Sequence, residues 1–174
     1  VQDVDGNGVI TTDDRIIYSQ RPDVTFGFNN TFNYKGFDLS VFLYARLGQW
    51  IAYDYNTTYR INALENGGNV DYWTPENPTN AFPRPNKSKS YTQVTYYSTL
   101  KYEDGSFFKI RDITLGYTFK PELLKHLNLS KLRVYATAKN FFTFSKIDNY
   151  DPEQGGSISF PMTKQLVFGL NVEF

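Results

Sequence analysis

The 174-residue sequence has no cysteine and only one histidine. Without cysteine, a disulfide scaffold, a thiolate metal site and a cysteine nucleophile are all excluded. Charge of one sign is not in excess either, because 18 Lys and Arg balance 18 Asp and Glu. Such a balance gives no overall electrostatic footprint for nucleic acid or an anionic membrane surface. The chain begins at Val1 with no signal peptide, so we expect a mature form or a fragment.

Long hydrophobic runs are also missing, and no stretch approaches the 18 apolar residues of a transmembrane helix. The mean hydropathy of -0.48 would ordinarily suggest a soluble protein. That inference does not hold for a transmembrane β-barrel, whose strands face lipid only at every second residue. The low hydropathy therefore leaves both classes open.

Aromatic residues are abundant, at 18% of the chain, and many recur with a period of two. Between Val24 and Tyr34 the apolar residues lie at even positions, and between Phe37 and Leu47 they lie at odd positions. The switch across Lys35-Gly36 is what a two-residue hairpin requires, with Tyr34 opposite Phe37. Each segment has eleven residues, whereas soluble strands average about five or six. This length favours a strand that spans a bilayer, which takes roughly 9–11 residues.

Three further segments alternate in the same way, which gives five long strands. They are "DITLGYTF" from Asp112, "LRVYATAKN" from Leu132 and "KQLVFGLNVEF" from Lys164. The connections alternate between short turns and long segments rich in Pro, Asn and Gly. Outer-membrane barrels place short turns on the periplasmic side and long loops outside the cell. Five strands cannot close such a barrel, so we expect an all-β arc of a larger structure.

Four segments, in order along the chain, resemble the C-terminal part of the SusC/RagA family of TonB-linked transporters. They are "DVDGNGVITTDD" with the following "RPDVTFGFNNTFNYKGFDLSVFL", "YWTPENPTNAFPR", "DGSFFKIRDITLGYTF" and "LRVYATAKNFFTFSKIDNYDPE". The resemblance covers essentially the whole chain, from Asp3 to Phe174. It implies the last five antiparallel strands of a 22-stranded transmembrane β-barrel, preceded in the family by a plug domain.

The same resemblance implies import of oligosaccharides or peptides across the bacterial outer membrane. The implied partners are a SusD-like surface lipoprotein, TonB through a segment outside this chain, the remainder of the transporter and outer-membrane lipid. Residues 1–22 would form an extracellular loop, and residues 23–174 the five strands with their long extracellular loops. Phe174 resembles the terminal aromatic residue that the outer-membrane assembly machinery recognises.

The segment from Asp3 to Asp14 also follows the twelve-residue pattern of a calcium-binding loop. Calcium would be held by side-chain oxygens and one backbone carbonyl, from Asp3, Asp5, Asn7, Val9 and Asp14. The twelfth position is Asp14 rather than the longer Glu that binds calcium through two oxygens, and no helices flank the loop. A turn whose Asp and Asn side chains cap their own backbone is the competing interpretation.

Aromatic residues in the long loops are candidates for substrate contact, because their rings can stack on sugars. These candidates are Trp50, Tyr53, Tyr55, Trp73, Phe82 and Tyr91. The alternative is that they pack the loops or form the aromatic girdle at the membrane interface. Four cations on the polar face are candidates either for substrate contact or for pairing with acidic groups of neighbouring strands or the plug, and pairing is expected. They are Arg46, Arg111, Arg133 and Lys139.

No arrangement for catalysis is present in the sequence. The carboxylate pairs Glu103 with Asp104 and Asp151 with Glu153 lie in loops with nothing to orient them, and His126 stands alone. We therefore predict that the chain is not an enzyme. The remaining alternative is a secreted, soluble β-sandwich that binds carbohydrate and carries a dockerin-like calcium loop. It does not account for the eleven-residue apolar faces or the long loops on one side.

Overall fold

The computed structural model describes residues 3–57, 69–88 and 97–174. Within these ranges the predicted all-β architecture is confirmed as one five-stranded antiparallel sheet of order β1-β2-β5-β6-β7. Its strands are β1 (Val24–Tyr34), β2 (Phe37–Leu47), β5 (Phe107–Thr118), β6 (Lys131–Ser145) and β7 (Gln165–Glu173). The two short strands β3 (Trp50–Ala52) and β4 (Tyr102–Asp104) pair separately in the loops.

The first hairpin has the predicted register. Tyr34 lies opposite Phe37 and Val24 opposite Leu47, so the apolar residues of both strands share one face. The turn residues Lys35 and Gly36 both have positive φ, of 48° and 89°. Two left-handed residues in succession are what a hairpin of this length needs to match the right-handed twist of its strands.

A bulge in the middle of the sheet explains why β5 and β6 are longer than the sequence pattern indicated. Ile110 pairs with Phe142 and Asp112 with Lys139, which leaves Arg111 opposite two residues of β6. One of these is Asn140, with a left-handed φ of 58°. The bulge shifts the alternation by one residue, so Ile110 joins the apolar face from an even position. A search for unbroken alternation therefore finds only the portion of each strand on one side of the bulge.

The two faces of the sheet differ in kind. The apolar face carries large exposed side chains, with Phe28 at 48% and Phe168 at 73% exposure. The polar face carries hydroxyl, amide and charged groups together with aromatic rings. Among the described residues, no second long sheet covers the apolar face. A soluble β-sandwich would require such a second sheet. The small buried cluster of Ile51, Tyr53 and Ile147 lies in the loops instead.

The antiparallel order places the connections at two opposite ends. The Lys35-Gly36 turn and residues 119–130 lie at the short-turn end. Residues 3–23, 48–57, 69–88, 97–106 and 146–164 belong to the long-loop end. Helices are short: α1 covers Asp54–Thr57 and α2 covers Pro121–Leu124, with single 3-10 turns at Thr12–Asp14, Tyr97–Lys101, Lys125–Leu127 and Pro152–Gln154. No helix in the described ranges has the length and apolar character to cross a membrane.

Candidate functional site

The polar face is held together by ion pairs that cross the strands. Arg133 of β6 donates from Nε to Asp38 of β2 at 2.8 Å and makes a second bond through NH2 to the other carboxylate oxygen. Lys139 of β6 lies 3.5 Å from Asp112 of β5. The charges of each pair neutralise each other on the polar face of the sheet, as predicted for Arg133 and Lys139.

A buried lysine anchors the loop that follows β6. The Lys109 side chain is fully buried, and its Nζ lies 2.6 Å from Asp151 and 2.8 Å from Glu153. Glu153 also forms an ion pair with Arg111, with 3.0 Å between Glu153 Oε1 and Arg111 NH1. Two cations thus meet two carboxylates, which satisfies the requirement that a buried charge be paired. The pair Asp151 and Glu153 serves to fasten the loop to the sheet.

The alternation of polar and apolar residues does not identify Lys109 as a residue of the polar face, because the bulge reverses the alternation at that point. The register places Lys109 opposite Tyr44 and Thr143, on the polar face. Arg46, in contrast, donates from Nε to the Tyr44 hydroxyl at 2.7 Å, and its guanidinium carbon lies 5.5 Å from the centre of that ring. Its environment is aromatic rather than acidic in the described part of the chain.

The loops after β2 and β6 pack against each other at the long-loop end. Tyr53 donates its backbone N–H to Lys101, and Asp54 donates to Gly156, which ties three loop segments together. The Tyr53 ring stacks on Tyr55 at 5.8 Å between ring centres. Burial of Tyr53 raises its pKa to about 12. The loops therefore form a packed layer above the sheet.

Most of the candidate aromatics take part in this packing. Tyr53 is 5% exposed, Trp50 stacks on Tyr18 at 4.0 Å between ring centres, and the Tyr55 hydroxyl accepts the Asn69 N–H at 3.0 Å. Trp73 is 36% exposed, and its ring is the one most accessible to a ligand among the described candidates. Tyr91 lies outside the described residues. Substrate contact remains a prediction for all of them.

Residues 69–88 form a compact hydrogen-bonded loop. Trp73 donates its N–H to Phe82 at 3.0 Å, next to a parallel bridge between Tyr72 and Phe82. The Asp71 carboxylate accepts from Asn77 Nδ2 at 2.7 Å. Side-chain hydrogen bonds, first from Thr79 and then from Asn77, lower the pKa of Asp71. The loop is therefore stabilised largely by its own polar groups.

In the calcium-like loop, ligand atoms of Asp3, Asp5 and Asp14 all lie within 4.8 Å of one another. The same oxygens accept backbone N–H groups, with Gly6 and Gly8 donating to Asp3 at 2.7 Å each. The bond from Gly8 is the larger cause of a lowered Asp3 pKa, and the bond from Thr11 has the same role for Asp14. Asn7 Oδ1 accepts the Val9 N–H at 2.8 Å. Three converging carboxylates fit a hard divalent cation such as calcium.

A cleft of about 510 Å³ opens between β6 and the loop that follows it. Its lining is mixed, with Thr143 and Ser145 from the strand and Asp148, Tyr150 and Lys164 from the loop. Hydroxyl, carboxylate, ammonium and aromatic groups are thus available at one place.

No family model matches the chain. Individual relatives do match over almost its whole length. The chain is 31% identical to the TonB-dependent receptor P3 of Formosa agariphila over 195 residues, covering 99% of the chain and 18% of that protein. It is also 31% identical to the TonB-dependent receptor SusC of Bacteroides thetaiotaomicron over 181 residues, covering 99% of the chain and 17% of that protein. The chain thus spans about a fifth of the length of the relatives it matches.

Solved structures give the same result. The RagAB peptide importer in its closed-closed state matches with a TM-score of 0.75 and 28% identity, over 99% of this chain and 20% of that chain. A further structure of the RagAB peptide transporter matches with a TM-score of 0.74 and 27% identity, over 92% of this chain and 18% of that chain. The five-stranded sheet is accordingly a segment of the β-barrel of a TonB-dependent transporter. The chain belongs to the SusC/RagA family of TonB-dependent transporters.

Proposed function

We propose that the chain forms part of the wall of a TonB-dependent importer in the bacterial outer membrane, and that it has no enzymatic activity. The observation that carries this proposal is the apolar face of long strands, which no second long sheet in the described ranges covers, together with the position of the described long-loop segments at one end. The apolar face would contact lipid and the polar face would line the lumen or meet the plug. TonB would be contacted by a segment outside this chain.

Fractionation of cells that express the full-length polypeptide tests the location. We expect it in the outer membrane, extractable only with detergent, and accessible to impermeant labels at Lys87 in the long-loop end. A chemically similar label placed at Lys125, in the short-turn end, should react only after the outer membrane is opened. Labelling of both positions in intact cells would contradict the proposed orientation.

The partner is a SusD-like surface lipoprotein, and residues 69–88 are its proposed contact. This loop lies at the long-loop end, is closed by its own hydrogen bonds and is stiffened by prolines, so it would lose little entropy on docking. Deletion of Thr74–Pro85 should weaken co-purification with the lipoprotein and leave the barrel assembled. The matched control, Asn77→Ala, keeps the loop and removes only the Asn77 side-chain bonds to Asp71 and to the Tyr72 carbonyl. Unchanged co-purification of the deletion variant would contradict the proposal.

The imported substrate is proposed to be an oligosaccharide or a peptide. RagAB is named a peptide importer, which supports a peptide, whereas the name of SusC, a TonB-dependent receptor, states no substrate. Uptake of a labelled peptide mixture and of a labelled oligosaccharide mixture by cells with and without the transporter distinguishes the two. Trp73→Ala, with Tyr72→Ala as its neighbour control, then tests substrate contact by the exposed ring.

Calcium is proposed as a structural ion in the first loop, held by Asp3, Asp5, Asn7, the Val9 carbonyl and Asp14. The convergence of three carboxylates supports this proposal. Extracellular modules of this kind bind calcium with dissociation constants of roughly 10⁻⁴–10⁻³ M. Calorimetric titration of the full-length transporter should show one site that Asp3→Asn weakens and that Asp13→Asn, at a neighbouring non-ligand position, leaves unchanged.

A further inference from the structure

The turn between β5 and β6 exposes two large apolar side chains. Leu123 and Leu127, four residues apart on consecutive helical turns, are each 62% exposed. Leu124 between them is 2% exposed, so the turn is fixed to the protein through its other side. Two leucines held outward by a buried neighbour form an apolar projection at the end of the sheet.

Aromatic rings lie at the same end of the sheet as this projection. β5 leaves the sheet through Tyr117 and Phe119, whose rings meet edge to face at 5.0 Å, and Tyr117 lies 4.7 Å from Phe37 of β2. In membrane barrels, aromatic residues near the ends of the spanning strands mark the interface between hydrocarbon and headgroups. The leucines of the turn follow directly after this aromatic group in the chain. The leucines and the rings therefore lie at the same, short-turn end of the sheet.

Charge at the short-turn end is basic. Lys131 pairs with Glu173 at 2.9 Å, and Arg133 pairs with Asp38. Apart from those pairs, the charged residues in this part of the described chain are one glutamate, Glu122, and three lysines, Lys35, Lys120 and Lys125. The described long-loop segments have the opposite sign, because acidic residues outnumber lysines and arginines there. The zero net charge of the chain thus conceals an asymmetry between its two ends.

We propose that the turn from Lys120 to Leu127 rests on the inner leaflet of the outer membrane and binds anionic phospholipid headgroups. Leu123 and Leu127 insert between the acyl chains near the interface, and Lys35, Lys120 and Lys125 contact phosphate groups. The long lysine side chains can extend along apolar surface while their ammonium groups remain at the headgroups. The inference rests on the proposed outer-membrane function.

Spin-label accessibility tests the insertion in the full-length transporter, reconstituted in phospholipid bilayers. Single cysteines are placed at Leu123 and Leu127, with Leu43→Cys as the reference in the hydrocarbon region, Lys87→Cys as the reference in water and Glu122→Cys as the control within the turn. We expect labels at 123 and 127 to be reached by oxygen more than by a water-soluble nickel complex, between the two references. Contact with the plug instead would shield them from both reagents, and that result, like free access of the nickel complex, would overturn the inference.

The references separate this inference from the proposed function. If the label at Leu43 is reached by the nickel complex, the transmembrane assignment itself fails. If Leu43 lies in lipid while Leu123 and Leu127 do not, only the inference about the turn fails. Both outcomes are read in the same set of samples.

Lipid selectivity tests the role of the lysines. Spin-labelled phosphatidylglycerol and phosphatidylcholine are compared for association with the transporter that carries Lys35→Gln, Lys120→Gln and Lys125→Gln together. One lysine near a membrane surface changes binding of an anionic surface by about fivefold, so the preference for phosphatidylglycerol should fall at least about fivefold. The control variant with Lys87→Gln and Lys164→Gln should keep the preference. An unchanged preference in the triple variant would overturn the proposed contact.

Discussion

Asp38 and Arg133 form a bidentate ion pair although a whole strand separates them. Asp38 lies on β2 and Arg133 on β6, with β5 between them. On β5, Gly116 lies directly opposite Asp38, and Arg133 lies opposite Thr118, two residues further along the strand. A Cβ at Gly116 would clash with Arg133 NH2 and would lie 2.5 Å from Asp38 Oδ1. The pair therefore depends on the absence of a side chain in the middle strand.

Replacing Gly116 by alanine should break this ion pair. The added methyl group would force both charged groups aside, and overpacking of this kind costs about 1–3 kcal/mol. We expect the barrel to unfold at lower denaturant concentration, measured by the heat-modifiable mobility of the full-length protein in gels. Gly27→Ala is the matched control, because a Cβ there meets Phe42 at 3.7 Å, an ordinary contact. Equal stability of the two variants would contradict the prediction.

The contrast between Gly116 and Lys109 shows how much of this structure the sequence could predict. Alternation identified the strand around Gly116 and its polar face, because no bulge lies between Asp112 and the turn. Lys109 lies beyond the bulge at Arg111, where the alternation is reversed, so its place on the polar face was not found. Bulge position depends on the pairing of two distant strands, and local alternation carries no information about it.

The loops were predicted less completely for a similar reason. Their aromatic residues were recognised as candidates for ligand contact, but whether a ring stacks on another ring or remains open depends on contacts between loops. Tyr53 meets Ile147, which is 94 residues later in the sequence. The spacing of residues within one loop could not indicate that contact.

Replacing Lys109 by methionine should release the loop that follows β6. Asp151 and Glu153 would lose their buried ammonium partner, and removing one member of a buried ion pair costs about 3–5 kcal/mol. Because Arg111 would still contact Glu153, we expect local rather than global unfolding. Hydrogen exchange of residues 147–158 should accelerate strongly while that of β6 changes little.

The matched control for this variant is Lys131→Met. Lys131 also bonds a glutamate at 2.9 Å, but its side chain is 49% exposed and that of Glu173 is 61% exposed. Exposed pairs contribute about 0–1 kcal/mol, so exchange should remain close to that of the unmodified protein. A second variant, Lys109→Met with Asp151→Asn, should recover part of the protection because it removes one of the unpaired charges.

Replacing Leu43 by arginine tests the apolar face of the sheet. Leu43 lies in the middle portion of β2, on the face shared by Val24, Phe26, Phe28, Leu39 and Val41. An arginine facing the bilayer midplane costs roughly 2–4 kcal/mol. Folding of the full-length protein into lipid vesicles under a denaturant titration measures the loss. Thr31→Arg on the polar face should be tolerated better, and an equal loss for both variants would contradict the assignment of faces.

Acidification should loosen the first loop before it affects the sheet. Hydrogen bonds from Gly8 to Asp3 and from Thr11 to Asp14 hold the pKa values of these two carboxyl groups below their ordinary value of 3.8. A carboxyl group with a lowered pKa in the folded state stabilises that state above its unfolded pKa, and the contribution disappears as the pH falls through the folded pKa. We therefore expect the loop to be ordered at neutral pH and to lose order below about pH 4.

Proteolysis of the exposed first loop at a series of pH values, with an acid-stable protease, measures this loss. Asp3→Asn should remove much of the pH dependence, whereas Asp13→Asn should not, because Asp13 is not one of the three carboxylates that converge in the loop. Added calcium should protect the loop at neutral pH and lose its effect upon acidification. A loop that is cleaved equally at pH 7 and pH 3 would contradict the prediction.

Residues 1–174 alone should not form a stable monomer. β1 pairs with β2 on one side, and β7 pairs with β6 on one side, so each has a second edge without a partner strand in the described chain. In lipid, each unsatisfied backbone group costs several kcal/mol, and water is not available to replace the missing strand. The partner strands should come from the rest of the transporter. Expressed by itself, this segment should aggregate or remain unfolded in detergent that supports the full-length barrel, as judged by size-exclusion chromatography and circular dichroism. A monodisperse monomer with a cooperative melting transition would mean that the apolar face is covered in another way, and would restore the soluble sandwich as the better interpretation.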